Sequence, residues 1–128
     1  MDVTKEHHEE RSEPDERGML EWEYVYDMYT FSEGEAELKF RRYVEDAGTA
    51  TLMSPSKWSQ LVGYQRLLAA AARHLHTREG IVSIHAYHPV RGAYAPFEDA
   101  AHSAASAGMI STEDAARLRE CVRQSDAV

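Results

Sequence analysis

Across residues 20–53, apolar and polar side chains alternate with a period of two, and two glycine-containing turns interrupt the run. Side chains of an extended strand point to opposite faces in turn, so the pattern is that of strands with one buried and one wet face. A chain with this stretch is committed to a sheet. In the first strand, residues 20–31, one face carries Leu20, Trp22, Tyr24, Tyr26 and Met28. The other carries Glu21, Glu23, Val25 and Asp27. The alternation assigns the first set to the core. Residues 32–35 form a turn in which Gly34 supplies a positive φ. The second strand, residues 36–44, aligns Ala36, Leu38, Phe40 and Val44, with Arg42 interrupting. A turn at 45–48 leads into a short third strand, 49–53. Turns this short join neighbouring strands, so the three make an antiparallel meander.

A helix is expected next. Ser54 and Ser56 offer N-caps around Pro55, which suits a first helical turn. Trp58, Leu61, Val62, Leu68, Ala69, Ala72 and Leu75 fall on one side of a helical wheel over residues 56–76. Leu67 lies off that stripe, and Gly63 weakens the helix. At 1.5 Å per residue it would extend about 31 Å and cover the apolar face of the meander. Residues 81–88 read as a fourth strand, stopped by Pro89. Residues 88–96 read as a loop. A short helix over 97–107 ends at Gly108 in a left-handed cap. Ser111 caps the last helix, whose apolar positions are Ala115, Leu118, Cys121 and Val122. The order is β-β-β-α-β-α-α. The expected fold is α+β: a three- to four-stranded antiparallel sheet packed against one long helix, with a C-terminal helical hairpin.

Residues 1–18 hold seven acidic residues against three basic ones, and Val3 is their only aliphatic side chain apart from Met1. Such a segment buries too little to offset its ordering entropy and is expected to be a disordered acidic tail, with residues 19–128 as a single domain. The length of 128 residues suits one core. The net charge of −8 disfavours general binding to phosphate backbones. The lone Cys121 excludes an internal disulfide and points to a reducing compartment. The first residues contain no apolar signal core, and no run approaches a membrane span. These features lead to an expectation of a cytoplasmic protein without membrane association.

No motif for chemistry is present. His74, His76, His85 and His88 are close in sequence, but neither pair shares a helix or strand face, so no metal site and no cofactor are expected. Cys121 sits in an apolar stripe, where a free cysteine acts as a small hydrophobe. No serine lies in a nucleophile elbow, and no glycine-rich phosphate loop occurs. Glu21, Glu23 and Asp27 fit a solvated sheet face, with Lys39 and Arg41 able to pair with them across the hairpin. The acids near the last two helices outnumber Arg117, Arg119 and Arg123, which argues against a DNA-reading helix pair.

The aromatic residues carry the strongest binding signal. With the even positions assigned to the core, Val25, Tyr29, Phe31, Arg41 and Tyr43 would form a patch on the second sheet face, and tyrosine and arginine are enriched at interfaces. The expected function is therefore non-enzymatic protein binding. The partner would be another protein, basic in character, or a second copy of this chain. An acidic inhibitor of the immunity-protein kind, masking a basic enzyme, is one concrete form. The alternative is a small enzyme or ligand-binding domain with a pocket at His85, Tyr87, His88, Arg91 and Tyr94.

Overall fold

The structure is a computed structural model and describes residues 1–123. The end of the expected domain, 124–128, lies outside the described residues. Strands β1 (Asp2–Arg11), β2 (Glu23–Glu33), β3 (Ala36–Tyr43) and β4 (Thr49–Ser54) come first, with a 3-10 turn at Val44–Asp46 between β3 and β4. Helices α1 (Trp58–Val62) and α2 (Gln65–Arg78) follow, then β5 (Ser83–His88), β6 (Ala93–Pro96), α3 (Phe97–Ser106) and α4 (Thr112–Arg123). The strands form one six-stranded sheet in sequence order. Every neighbouring pair is antiparallel except β4 and β5, which are parallel. Parallel neighbours need a long crossover rather than a tight turn, and α1 with α2 provides it.

The α+β class holds, but the expected three- to four-stranded antiparallel sheet with one long helix does not: the sheet has six strands and is mixed. The additional strands are β1 and β6. β6 lies in the segment expected to be a loop, where four residues pair with β5 through Ala86↔Ala95 and Tyr87↔Tyr94. The single helix over 56–76 is two helices. At Gly63 and Tyr64 the amides donate three residues back, to Gln60 O (3.1 Å) and Leu61 O (2.9 Å), which closes α1 in a tight turn before α2 begins. The break rotates the chain, so Leu67, off the stripe of a continuous helix, is buried in the core.

One face of the sheet builds that core. The register places Tyr29 opposite Phe40, Phe31 opposite Leu38, Phe40 opposite Leu52 and Ala50 opposite Ile84. These side chains pack with Leu61 of α1, Leu68, Ala71, Ala72 and Leu75 of α2, Phe97 and Ala100 of α3, and Leu118 of α4. Burying each large apolar side chain contributes about 1.5–3 kcal/mol relative to exposure. The C-terminal hairpin follows its sequence signals. Gly108 adopts φ +75°, and Met109 N donates to Ala104 O (2.9 Å) as in a Schellman cap. Ser111 Oγ accepts from Asp114 N (3.0 Å) as the N-cap of α4. Among the described residues no helix covers the opposite face of the sheet, and Tyr24, Tyr87 and Tyr94 stand about half exposed on it.

Residues 2–11 are not a tail. β1 pairs with β2 along its whole length, from Asp2↔Ser32 to Arg11↔Glu23. The connection between them is an ordered hairpin end. Ser12 Oγ accepts from the amides of Glu21 (2.8 Å) and Trp22 (3.2 Å). Asp15 Oδ1 accepts from those of Arg17 and Met19, both at 2.8 Å. The residues of β1 are exposed, apart from the partly buried His8. The strand is held by the ladder, by polar rungs and by the His8 ring stacked on Tyr26.

Candidate functional site

The first strand's faces are the reverse of those expected. Tyr29 and Phe31, assigned by alternation to a binding face, are fully buried beneath the helices. Trp22 and Tyr24, assigned to the core, are 44% and 50% exposed. The aromatic side chains at even positions outnumber those at odd ones, but the helices lie over the odd face. Val25 and Tyr43 do remain accessible, and Arg41 lies on the helix-free face with Tyr43. The five residues expected to form one patch therefore divide between core and surface.

A different site forms where β2 outruns β3. The β2–β3 ladder begins at Tyr26↔Tyr43, so residues 23–25 pair with β1 alone. Beside them the chain leaves β3 and turns through Val44–Asp46. Between the two lies a groove of about 460 Å³ lined by Glu23, Tyr24, Val25, Tyr43, Val44, Glu45 and Asp46. Val44 is 59% exposed at its edge. Trp22 stacks on Tyr24 with ring centroids 5.5 Å apart, and Tyr24 meets Tyr43 edge-on at 6.3 Å. Exposed apolar surface gathered in one place marks interaction sites more often than scattered single residues do.

The groove is backed by a packed aromatic and ionic layer on the helix-free face. Tyr26 is buried there without any helix above it. His8 of β1 stacks on its ring at 5.2 Å, and the Arg41 guanidinium lies 4.2 Å from the ring centroid on β3. Its hydroxyl donates to Glu10 Oε1 (2.8 Å). Burial and that carboxylate push the Tyr26 phenol above its ordinary value. Arg41 also donates to the Tyr43 hydroxyl (3.4 Å), which links this layer to the groove wall.

On the helix-side face, β1 is held by charges. His7 Nδ1 lies 3.0 Å from Asp27, and Arg42 pairs with the same carboxylate at 3.2 Å. Arg42 also donates to the Glu79 carbonyl at the C-terminus of α2 (3.0 Å), where the helix dipole favours a cation. Lys5 reaches the Glu79 carboxylate at 3.5 Å. Hydrogen bonds to Asp27 and Glu9 raise the His7 pKa. Burial opposes ionisation of Asp27, but the bonds from His7 and Arg42 prevail and hold its carboxyl below its usual range.

The alternative pocket at residues 85–94 is not assembled. His85, Tyr87 and Tyr94 lie on the helix-free face, where the two tyrosine rings meet edge-on at 5.7 Å. His88 is buried on the other face, and its Nδ1 accepts from Arg91 N (3.1 Å) to close the turn. Arg91 is exposed at that turn. The five do not converge on a common point. Among the described residues no group of three or more histidine, cysteine, aspartate or glutamate side chains is placed to hold a metal ion. Burial pushes the Cys121 thiol up, which keeps it in its less nucleophilic form. No helix of the described residues is long and apolar enough to cross a membrane. Comparison with protein-family models, with curated proteins and with solved structures finds no match for the chain.

Sequence reasoning missed Trp22, Glu23, Tyr24, Val44, Glu45 and Asp46 as site residues. The signal available was the chain's turn chemistry. Ser12, Pro14, Asp15 and Gly18 mark a turn, which makes residues 1–11 a strand partner for β2 and moves the first aromatic pair away from the domain centre.

Proposed function

We propose that the protein is a non-enzymatic protein-binding module whose contact surface is the exposed end of the β2–β3 pair. The observation that carries this reading is the cluster of Tyr24, Tyr43 and Val44 around an open groove, with Trp22 stacked on Tyr24, beyond the helical layer. Aromatic anchors of this kind dominate interface energetics because they remove large areas from water at little entropic cost. Between this end and the Tyr87–Tyr94 pair, the helix-free face carries Thr4, Thr30 and Lys39 on neighbouring strands, a polar stretch that suits water as its neighbour. This favours a local docking site over a face-to-face pairing of two copies.

The test is affinity capture from the native host. Wild type is compared with Tyr24→Ala/Val44→Ala and with Tyr87→Ala/Tyr94→Ala, which removes the other exposed aromatic pair. A partner retained by wild type and by the second variant, lost by the first, and rebinding as a purified protein is the expected result. A partner lost only with Tyr87 and Tyr94 would move the site to the β5–β6 end. A partner indifferent to both variants would remove the aromatic docking account.

A further inference from the structure

The groove's lining states what kind of partner fits it. Three of its seven lining residues are carboxylates, Glu23, Glu45 and Asp46, and none is basic. Glu23 already faces Arg11 at 3.4 Å. Glu45 and Asp46 are exposed on the wall that carries Val44. The opposite wall presents Tyr24, and Tyr43 lies between. We propose that this groove holds an extended basic segment of a partner protein, with a lysine or arginine side chain seated against the Tyr24 and Tyr43 rings and answered by Glu45 and Asp46.

Three features support that occupant. A cation over an aromatic face is attracted by the ring quadrupole, and the attraction adds to that of nearby carboxylates. The molecule uses the same arrangement one rung away, where Arg41 lies 4.2 Å from the Tyr26 centroid and also reaches the Tyr43 hydroxyl. Residues 23–25 have no β3 residue opposite them, so an extended segment in the groove runs beside strand edge that can accept a short backbone ladder. The net charge of −8 adds long-range attraction for a basic partner.

This inference rests on the protein-binding reading, and the test separates the two. A random peptide library displayed on phage is selected against the full-length protein, and the enriched peptides are synthesised and titrated. Binding is measured to wild type, to Glu45→Lys/Asp46→Lys, to Tyr24→Ala, and to Glu33→Lys/Glu35→Lys. The last makes the same charge change at the turn end of the β2–β3 hairpin, away from the groove. The expected peptides are rich in lysine or arginine. They should lose about tenfold or more in affinity on Glu45→Lys/Asp46→Lys and on Tyr24→Ala. On Glu33→Lys/Glu35→Lys they should lose no more than a few-fold. Basic peptides weakened equally by both charge reversals overturn the site, since general acidity then explains them. Enriched peptides without basic residues that still need Tyr24 overturn the basic-segment proposal and leave protein binding standing. A selection that enriches nothing overturns both.

Discussion

Tyr24 and Tyr29 stand on one strand and lead opposite lives. Tyr29 lies under α2, opposite Phe40, and is fully buried. Tyr24 lies past the last β3 residue and is half exposed. The difference is not in residue type or local propensity. It is in what the rest of the chain places over each position. The middle of the sheet has helices on one side and is held by apolar packing. The β1–β2 end has no apolar cover and is held by stacked rings, ion pairs and a backbone ladder. One region maintains the fold, and the other is free to meet a partner.

The contrast is broken most severely in the covered region. Phe40→Ala, at a fully buried position, should cost about 3–5 kcal/mol, read as a lowered urea midpoint. A loss below about 1 kcal/mol would mean that this core is not where stability resides. The network under β1 comes next. Asp27→Ala removes the partner of both His7 and Arg42, and a loss of about 1.5–3 kcal/mol is expected from hydrogen bonds to charged groups. Hydrogen exchange should rise in β1 before it rises in β4 or β5. Equal acceleration everywhere would show that the two regions unfold as one.

Tyr24→Ala loses two ring contacts at a half-exposed position, so it should cost no more than about 1 kcal/mol, while weakening partner binding about tenfold or more. A variant that lost stability and kept binding would reverse the roles assigned to the two ends. The smallest effect concerns pH. His7 has a pKa raised above its ordinary value near 6.5 in the folded protein. Its contribution is therefore complete below that value and is lost as pH rises through the folded pKa. Asp27 has a lowered pKa against an ordinary 3.8. Its contribution is complete above that value and is lost as pH falls through the folded pKa. β1 should be held best between the two, so its exchange, corrected for intrinsic rates, should quicken modestly from pH 6 to pH 8. His7→Gln should abolish that dependence.

The same contrast explains what could be read from the sequence. The meander, the fourth strand, the C-terminal hairpin and its Gly108 and Ser111 caps were legible because local chemistry determines them. β1 was not, because ten residues rich in charge carry no apolar period, and their strand is specified by β2 and by a turn at Asp15 and Gly18. β6 was hidden by its shortness and by proline. The buried face of β2 could not be read from alternation alone. Period two states that faces differ, and only the helices, through Leu68, Leu75 and their neighbours, decide which face is inside. That choice exchanged Tyr29 and Phe31 with Trp22 and Tyr24, and so moved the candidate site from the sheet's middle to its end. A turn was legible at 45–48, but Val44 reads as strand from sequence, and no groove wall is visible there, since the groove exists only because β3 stops before β2 does.

The most direct test of the account is a hydrogen-exchange footprint of the protein alone and saturated with the partner recovered by capture. Slowed exchange is expected at residues 22–25 and 43–46, with α2, β5 and β6 unchanged. Protection confined to the helices, or to residues 85–94, would contradict the assignment of binding to the uncovered end of the sheet.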